Sequence, residues 1–121
     1  MSPIEQINDV LHYLQSGTPD VEGCAVVSDD GLMIASALAP QIDEGRIAGM
    51  TSTLISLGTR TAQELERGNL EQVYVKGSSG YVIVTQASEG TVLVVLTNHE
   101  AKLGLIFLDM RRCIEQIRKL L

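Results

Sequence analysis

Three strand-like segments follow one another in the second half of the chain, and this order constrains the fold more than any other feature. They are LEQVYVK (70–76), GYVIVTQA (80–87) and TVLVVLT (91–97). Each contains β-branched residues, and only short turns at 78–80 and 89–90 separate them. Such turns are too short for the crossover that parallel strands need. The three segments are therefore predicted to be antiparallel neighbours in one sheet.

The first half of the chain contributes two further predicted strands. The segments CAVVS (24–28) and LMIASAL (32–38) flank the sequence DDG (29–31). This sequence favours a tight hairpin turn, because glycine tolerates positive φ and aspartate can bond to its own backbone. The two segments are therefore expected to pair as a hairpin.

Polarity separates central strands from an edge strand. The apolar runs at 24–27, 82–84 and 92–96 predict strands that are covered on both faces. The segment 70–76 is short and partly polar and carries Lys76, which is typical of an edge.

Three helices are predicted around these strands. The first ends at Gly17, and its apolar stripe is Ile4, Ile7, Leu11 and Leu14. The second is capped by Asp43 and ends at about Arg67, before Gly68. The third begins near Asn98 and runs to the C-terminus. Its predicted buried stripe is Leu103, Ile106, Met110, Ile114, Ile117 and Leu121.

The resulting order, α-β-β-α-β-β-β-α, predicts an α+β fold with one five-stranded antiparallel sheet and helices on its faces. At 121 residues without a linker or repeat, the chain is expected to form one domain, 1–121.

A net charge of −6 argues against binding nucleic acid. No signal peptide or membrane-length apolar run is present, so we expect a cytoplasmic protein that does not insert into membranes. Cys24 and Cys113 are accordingly expected to be reduced, buried thiols, with a redox pair as the alternative.

No catalytic, metal or cofactor site is expected. The two histidines, His12 and His99, lie far apart, and neither belongs to a closely spaced Cys/His set. The sequence GSSG (77–80) is a turn, not a nucleophile elbow. No phosphate-binding loop is present. The chain is therefore not expected to be an enzyme.

The second helix carries unusually little charge. In the sequence GRIAGMTSTLISLGTRTA (45–62), only Arg46 and Arg60 are charged. At 100° per residue its side chains form three faces. A large apolar face, expected to cover the sheet, contains Ile47, Met50, Leu54, Leu57, Thr61 and Leu65. A small, nearly uncharged face contains Ala48, Ser52, Ile55, Thr59 and Ala62. A polar face contains Arg46, Gly49, Thr53, Ser56, Arg60 and Gln63.

A helix that faced solvent would be expected to carry more lysine and glutamate. The small face therefore predicts contact with another protein surface, and a second copy of the same helix is favoured because two-fold dimers are the commonest oligomers. The edge strand 70–76 supports this prediction, since two such edges can pair across a two-fold axis. The alternative is a helix that is rich in serine and threonine without a partner.

Several stretches of the sequence resemble roadblock/dynein-light-chain domains. They are VEGCAVVSDDGLMIASA, the uncharged second helix, LEQVYVKGSSGYVIVTQA and AKLGLIFLDMRR. The likeness covers roughly residues 4–121. It is strongest to stand-alone prokaryotic members, among them the gliding-motility B proteins.

The resemblance implies a homodimer or heterodimer with side-by-side sheets and paired second helices, and a Ras-like small GTPase as partner. Gliding-motility B proteins activate such a GTPase without inserting an arginine, whereas eukaryotic relatives serve as dynein light chains or scaffold subunits. Transferred to this chain, the dimer surface would be Ala48, Ser52, Ile55, Thr59 and Ala62 with Gln72, Tyr74 and Lys76. The GTPase surface would be Arg46, Gly49, Thr53, Ser56, Arg60 and Gln63.

Two other functions are compatible with the sequence. One is a scaffold or adaptor subunit without effect on GTP hydrolysis. The other is a small-molecule sensor, which requires a polar-lined pocket in the core. An arginine finger from Arg46 or Arg60 is a further alternative, because an arginine supplied in trans can accelerate GTP hydrolysis.

Overall fold

A computed structural model describes residues 1–121 and contains three helices and five strands in the predicted order. The helices are α1 (Pro3–Gly17), α2 (Glu44–Glu64) and α3 (Leu103–Arg118). The strands are β1 (Val21–Ser28), β2 (Met33–Ala37), β3 (Gln72–Gly77), β4 (Gly80–Ser88) and β5 (Thr91–Asn98). None of the helices combines the length and apolar character that crossing a membrane requires.

The strands form one antiparallel sheet in the order β2-β1-β5-β4-β3. The prediction of β1, β4 and β5 as central strands and of β3 as an edge is confirmed. Gly31 in the first hairpin has φ +88°, so this turn uses a backbone conformation that glycine adopts readily. The pairing of β1 with β5 joins the two halves of the chain into one sheet.

Helices cover both faces of the sheet, as predicted. On one face, α1 and α3 pack side by side and bury a cluster that includes Leu11, Ile83 and Met110. On the other face, α2 lies alone over a smaller cluster that includes Ala25, Val84 and Val94. Strands β1, β4 and β5 contribute to both clusters because their successive side chains alternate between the two faces.

The predicted stripes of α1 and α3 are correct except at their ends. Ile7 and Ile117 are fully buried, but Ile4 and Leu121 are 52% and 51% exposed. Ile4 lies in the first turn of α1, and Leu121 lies beyond the end of α3, where fewer neighbours cover a side chain. Within the stripe of α3 the structure adds the buried Cys113.

Three predicted helix boundaries are wrong. α3 begins at Leu103 rather than near Asn98, because Asn98 still pairs with Gly80 across the sheet, and it ends at Arg118 rather than at the C-terminus. α2 ends at Glu64 rather than at about Arg67. Its C-terminal carbonyls are satisfied by a reversal of the chain in which Arg67 N–H donates to Ala62 C=O and Glu66 N–H donates to Gln63 C=O.

Candidate functional site

The face of α2 that lies on the sheet is built from small residues. Ala48, Thr51 and Ile55 are buried there. A Cβ atom added at Gly58 would lie 2.8 Å from Cγ2 of Val73, so the helix backbone approaches β3 very closely. Larger side chains along this face would hold the helix away from the sheet, which explains why the small face points inward.

The predicted assignment of the helix faces is therefore only partly correct, since Ile47 and Leu54 of the large apolar face do pack against the cluster under α2. Ala48 and Ile55 belong to the core of this chain, and the Ser52 hydroxyl donates to Asp29 C=O at 3.1 Å in the turn between β1 and β2. These side chains are engaged within the protomer and are not a free dimer surface. Thr59 and Ala62, on the same face, are half-buried.

Part of the large apolar face points outward. Met50, Leu57 and Leu65 are 59%, 62% and 63% exposed, whereas Ile47 and Leu54 are half-buried and also pack against the cluster under α2. We call this surface the apolar stripe, defined as Ile47, Met50, Leu54, Leu57 and Leu65. Rows of large exposed aliphatic side chains are uncommon on an isolated protein surface and mark contact sites.

The apolar stripe lies on the side of α2 that is nearer to β3. Gly58 contacts Val73 and Leu70, which fixes that side of the helix above the edge strand. Leu54 and Leu57 lie next to Gly58 around the helix at 100° per residue. The stripe and the open edge of the sheet therefore form one continuous surface.

The edge at β3 has no covering element. Gln86 N–H donates to Glu71 C=O at 3.2 Å. Because the hydrogen-bonding direction alternates along a strand, Gln72, Tyr74 and Lys76 direct their N–H and C=O groups away from β4, toward solvent. These are the strand residues predicted to pair in a dimer.

The opposite edge, at β2, is protected. Ser36 N–H donates to Oδ1 of Asn8 in α1 at 3.2 Å, and the Ser36 hydroxyl donates to Oε1 of Glu44 at 2.8 Å. Asn8 thus occupies one backbone donor that a further strand would need, and Glu44 holds the side chain beside it. The β3 edge has no such cover and is the one favoured for pairing.

The polar face of α2 is exposed over its whole length. We call it the polar flank, defined as Arg46, Gly49, Thr53, Ser56, Arg60 and Gln63, all of which are exposed. Its one ion pair joins Nη2 of Arg60 to Oε1 of Glu64 at 3.5 Å. The Thr53 hydroxyl donates to Gly49 C=O at 2.9 Å, so it folds back on its own helix. The flank is an exposed, weakly charged surface.

The two cysteines lie between β1 and the α1–α3 layer. Both are buried and free, as expected, and the Cys24 thiol donates to Leu11 C=O at 3.3 Å. Burial raises the pKa of both thiols to about 12, and the proximity of Cys113 adds to the effect at Cys24. Neither thiol is activated as a nucleophile or metal ligand, since both roles need the thiolate.

The outward orientation of the apolar stripe is the feature that sequence reasoning missed. A signal for it is present, because small residues recur at three-, four- and seven-residue spacing at Ala48, Thr51, Gly58 and Ala62, with Ile55 as the one large member of the row. Gly58 in the middle of this row indicates close backbone approach, and the sheet is the nearest backbone available.

Comparison with known proteins agrees with this architecture. A family model described as Roadblock/LC7 domain matches residues 7–97. Among curated relatives, Uncharacterized protein MJ1340 of Methanocaldococcus jannaschii is 40% identical over 101 residues, which cover 84% of this chain and 88% of that protein.

Solved structures share the fold. A Roadblock/LC7 domain from Streptomyces avermitilis superposes with a TM-score of 0.87 at 25% identity, covering 93% of this chain and 94% of that one. Myxococcus xanthus MglB superposes with a TM-score of 0.88 at 22% identity, covering 97% of this chain and 88% of that one. The family model, the element order and the sheet topology agree, and the chain belongs to the Roadblock/LC7 domain family.

Proposed function

We propose that two copies of this chain form a homodimer through the apolar stripe of α2 and the open edge of β3. The observation that carries this proposal is the exposure of Met50 and Leu57 directly beside an unpaired strand edge. A two-fold axis along this edge would pair β3 with its copy and bring the two apolar stripes together. Burying a leucine or methionine side chain contributes about 1.5–3 kcal/mol, so several such side chains favour a stable dimer.

The dimer proposed here differs from the sequence-based expectation in one respect. The strand residues Gln72, Tyr74 and Lys76 retain their role through their outward backbone groups. The helix contribution comes from the apolar stripe instead of from Ala48 and Ile55, which the core of the protomer already uses.

We further propose that the dimer binds a Ras-like small GTPase on the two polar flanks of its paired α2 helices. Membership of the Roadblock/LC7 family and the fold shared with MglB support this partner. The polar flank fits such a role because it is exposed and weakly charged, and because pairing through the apolar stripes leaves it uncovered on both copies.

Stimulation of GTP hydrolysis is part of this proposal, with the catalytic groups supplied by the GTPase itself. Arg60 is ion-paired with Glu64 one turn along α2, which does not favour its use as an arginine finger. The dimer would act by holding the GTPase's own catalytic residues in the orientation that hydrolysis requires, and correct orientation alone can accelerate a reaction.

An adaptor without effect on hydrolysis is the second candidate. The observation that favours it is the exposed, weakly charged polar flank, a surface suited to contact with a protein, whose hydroxyl at Thr53 is satisfied within the helix. A small-molecule sensor has less support, because Thr51 and Thr97 are the only buried polar side chains in the core.

A titration tests the GTPase proposal. The purified protein is added to a Ras-like GTPase from the same genome, loaded either with GDP or with a non-hydrolysable GTP analogue. We expect tighter binding of the GTP form and a loss of that binding in Arg60→Glu, with the dimer intact. Arg111→Glu on α3 makes the same charge change on the other face of the sheet and is the matched control. Equal binding of both nucleotide forms would favour the adaptor, and unaltered affinity of Arg60→Glu would remove the polar flank from the site.

A further inference from the structure

A groove runs along the face of the sheet opposite α2, between α3 and the ribbon of β3 and β4. It has a volume of ≈ 420 Å³. Gln72 and Thr85 form part of its floor, and their side chains are joined by a hydrogen bond of 2.9 Å. Arg111 and Arg118 of α3 form its wall. The α1–α3 layer covers the rest of this face but leaves the groove open.

The groove is cationic in an otherwise acidic protein. The chain has a net charge of −6, yet its single ion pair joins Arg60 to Glu64 on the other side of the sheet. Glu115 also lines the groove and lies between the two arginines on α3, but neither Arg111 nor Arg118 has a carboxylate within 4.0 Å, and the lining keeps a net positive charge. Two arginines without acidic partners are therefore available to a ligand from outside the protomer.

One of these arginines is held in position. Nε of Arg118 donates to Ala87 C=O at 2.6 Å, which fixes the guanidinium over the end of β4 and leaves its terminal nitrogens free. Arg111 lies two helical turns earlier on the same side of α3. At 1.5 Å per residue the two positions are about 10 Å apart along the helix axis.

The other end of the groove is aromatic. The ring of Tyr74, which is 52% exposed, lies 6.2 Å from the ring of Phe107. Beyond it, Nζ of Lys76 lies 5.9 Å above the ring of Tyr81, so a third cation borders this end. The exposed Tyr74, beside the half-buried Phe107, offers an apolar contact flanked by sites for carboxylates.

We propose that this groove binds an acidic segment of a partner protein, in extended conformation, with apolar residues between its carboxylates. An extended chain in the polyproline II conformation rises about 3.1 Å per residue with three residues per turn. Carboxylates three positions apart therefore lie on one side of it, at a spacing that matches the separation of Arg111 and Arg118. Charge complementarity and the Tyr74–Phe107 pair select this occupant. Nucleic acid is disfavoured by the net charge of the whole chain, which opposes a polyanion.

This inference goes beyond the proposed function and does not depend on it. The groove and the polar flank lie on opposite faces of the sheet, so one protomer can hold the acidic segment while α2 contacts another protein. In the proposed dimer the side chains of Tyr74 and Lys76 remain on the α3 face, because only the backbone of β3 takes part in strand pairing.

Fluorescence anisotropy tests the proposal with a short fluorescein-labelled peptide that contains the core Asp-Leu-Leu-Asp. We expect saturable binding to the wild-type protein that weakens as salt is added. Arg111→Glu should weaken it by about tenfold or more, since hydrogen bonds between charged groups are lost. Arg112→Glu is the matched control, because this exposed neighbour points toward α1 and should bind the peptide like the wild type. A peptide with lysine in place of aspartate should not bind.

Three results would overturn the inference. They are the absence of saturable binding at low salt, equal losses in Arg111→Glu and Arg112→Glu, and tighter binding of phosphatidylserine vesicles than of the peptide. Arg111 and Arg112 are both exposed and have no ion pair, so neither substitution should unfold the protein. Circular dichroism checks that the variants fold. Arg60→Glu should leave peptide binding unchanged, so failure of this inference is distinguishable from failure of the GTPase proposal.

Discussion

Glu66 is the one non-glycine residue with positive φ, 58°, and it occupies the position after α2 where glycine is usual. A side chain in this conformation costs roughly 1–2 kcal/mol, because its Cβ approaches the following carbonyl oxygen. We expect Glu66→Gly to raise the free energy of unfolding by about 1 kcal/mol, measured by urea denaturation. Gln63→Gly, three residues earlier inside the helix, should lower it by about 0.5–1 kcal/mol. Destabilisation by both substitutions would contradict the strain assigned to Glu66.

The buried thiols predict a dependence of stability on pH. Burial raises the pKa of Cys24 and Cys113 from 9.0 to about 12, so the unfolded chain loses these protons at lower pH than the folded one. The contribution of the two protonated thiols to the free energy of unfolding is fully present below about pH 9 and is lost as the pH rises toward 12. Within that window we expect the free energy of unfolding to fall by roughly 1.4 kcal/mol per pH unit for each thiol.

Lysine and tyrosine also titrate in this range, so a variant without thiols is the control for the cysteine effect. Denaturation curves of the Cys24→Ala/Cys113→Ala variant are recorded from about pH 8 to about pH 10. The free energy of unfolding that they give should fall less steeply with pH than that of the wild type. Identical slopes would show that the thiols do not carry the effect.

At the scale of elements, the apolar stripe of α2 is proposed to form the dimer contact, whereas its inner side packs in the core of the protomer. Substitutions on the two sides should therefore have different effects. Leu57→Asp changes a side chain that is 62% exposed, so the protomer should still fold, but the dimer should dissociate because an unpaired charge would be buried at its centre. Ser56→Asp places the same charge one residue away, on the polar flank, and should leave the dimer intact. Light scattering of both variants at equal concentration measures the difference.

Ile55→Ala probes the inner side of the same helix. Ile55 is 9% exposed and packs in the cluster over β1, β4 and β5, so its truncation should lower the free energy of unfolding by about 2–5 kcal/mol. A dimer that dissociates in Ile55→Ala and persists in Leu57→Asp, with both proteins folded, would restore the sequence-based assignment of the helix faces.

The same helix shows where prediction from sequence succeeds and where it fails. Its N-cap was predictable, because Asp43 accepts from Arg46 N–H as such caps do. Its inner face was not, because the rule that the most apolar face lies inward assumes a helix that contacts only its own chain. The rule fails for α2 because its backbone approaches Val73 closely at Gly58, and this approach leaves no room for large side chains on the inner face.

At the scale of the whole molecule, local and non-local features differ in how well the sequence predicts them. The hairpins β1–β2, β3–β4 and β4–β5 follow from short turns, and the position of β3 at an edge follows from its polarity. The pairing of β1 with β5 connects segments far apart in sequence, and no turn encodes it. The polar flank was predicted to be a surface for a GTPase; its residues are exposed, and the partner stays a prediction.

The whole sheet presents different surfaces on its two faces and its two edges. Asn8 caps one backbone N–H of the β2 edge, whereas no side chain covers the β3 edge, so pairing through β3 is favoured. One favoured edge fits the proposed closed two-fold dimer, whereas two open edges would permit a filament. The proposed GTPase site, made from the polar flanks of both copies, exists only in that dimer.

The most direct test of this account is the affinity of the Leu57→Asp protein for the Ras-like GTPase loaded with a GTP analogue, measured by calorimetry beside the wild type. The account predicts that the wild type binds one GTPase per two chains, and that the monomeric variant loses most of this affinity although its polar flank is unchanged. Undiminished binding by a folded, monomeric Leu57→Asp protein would contradict the claim that the site is built from two copies of α2.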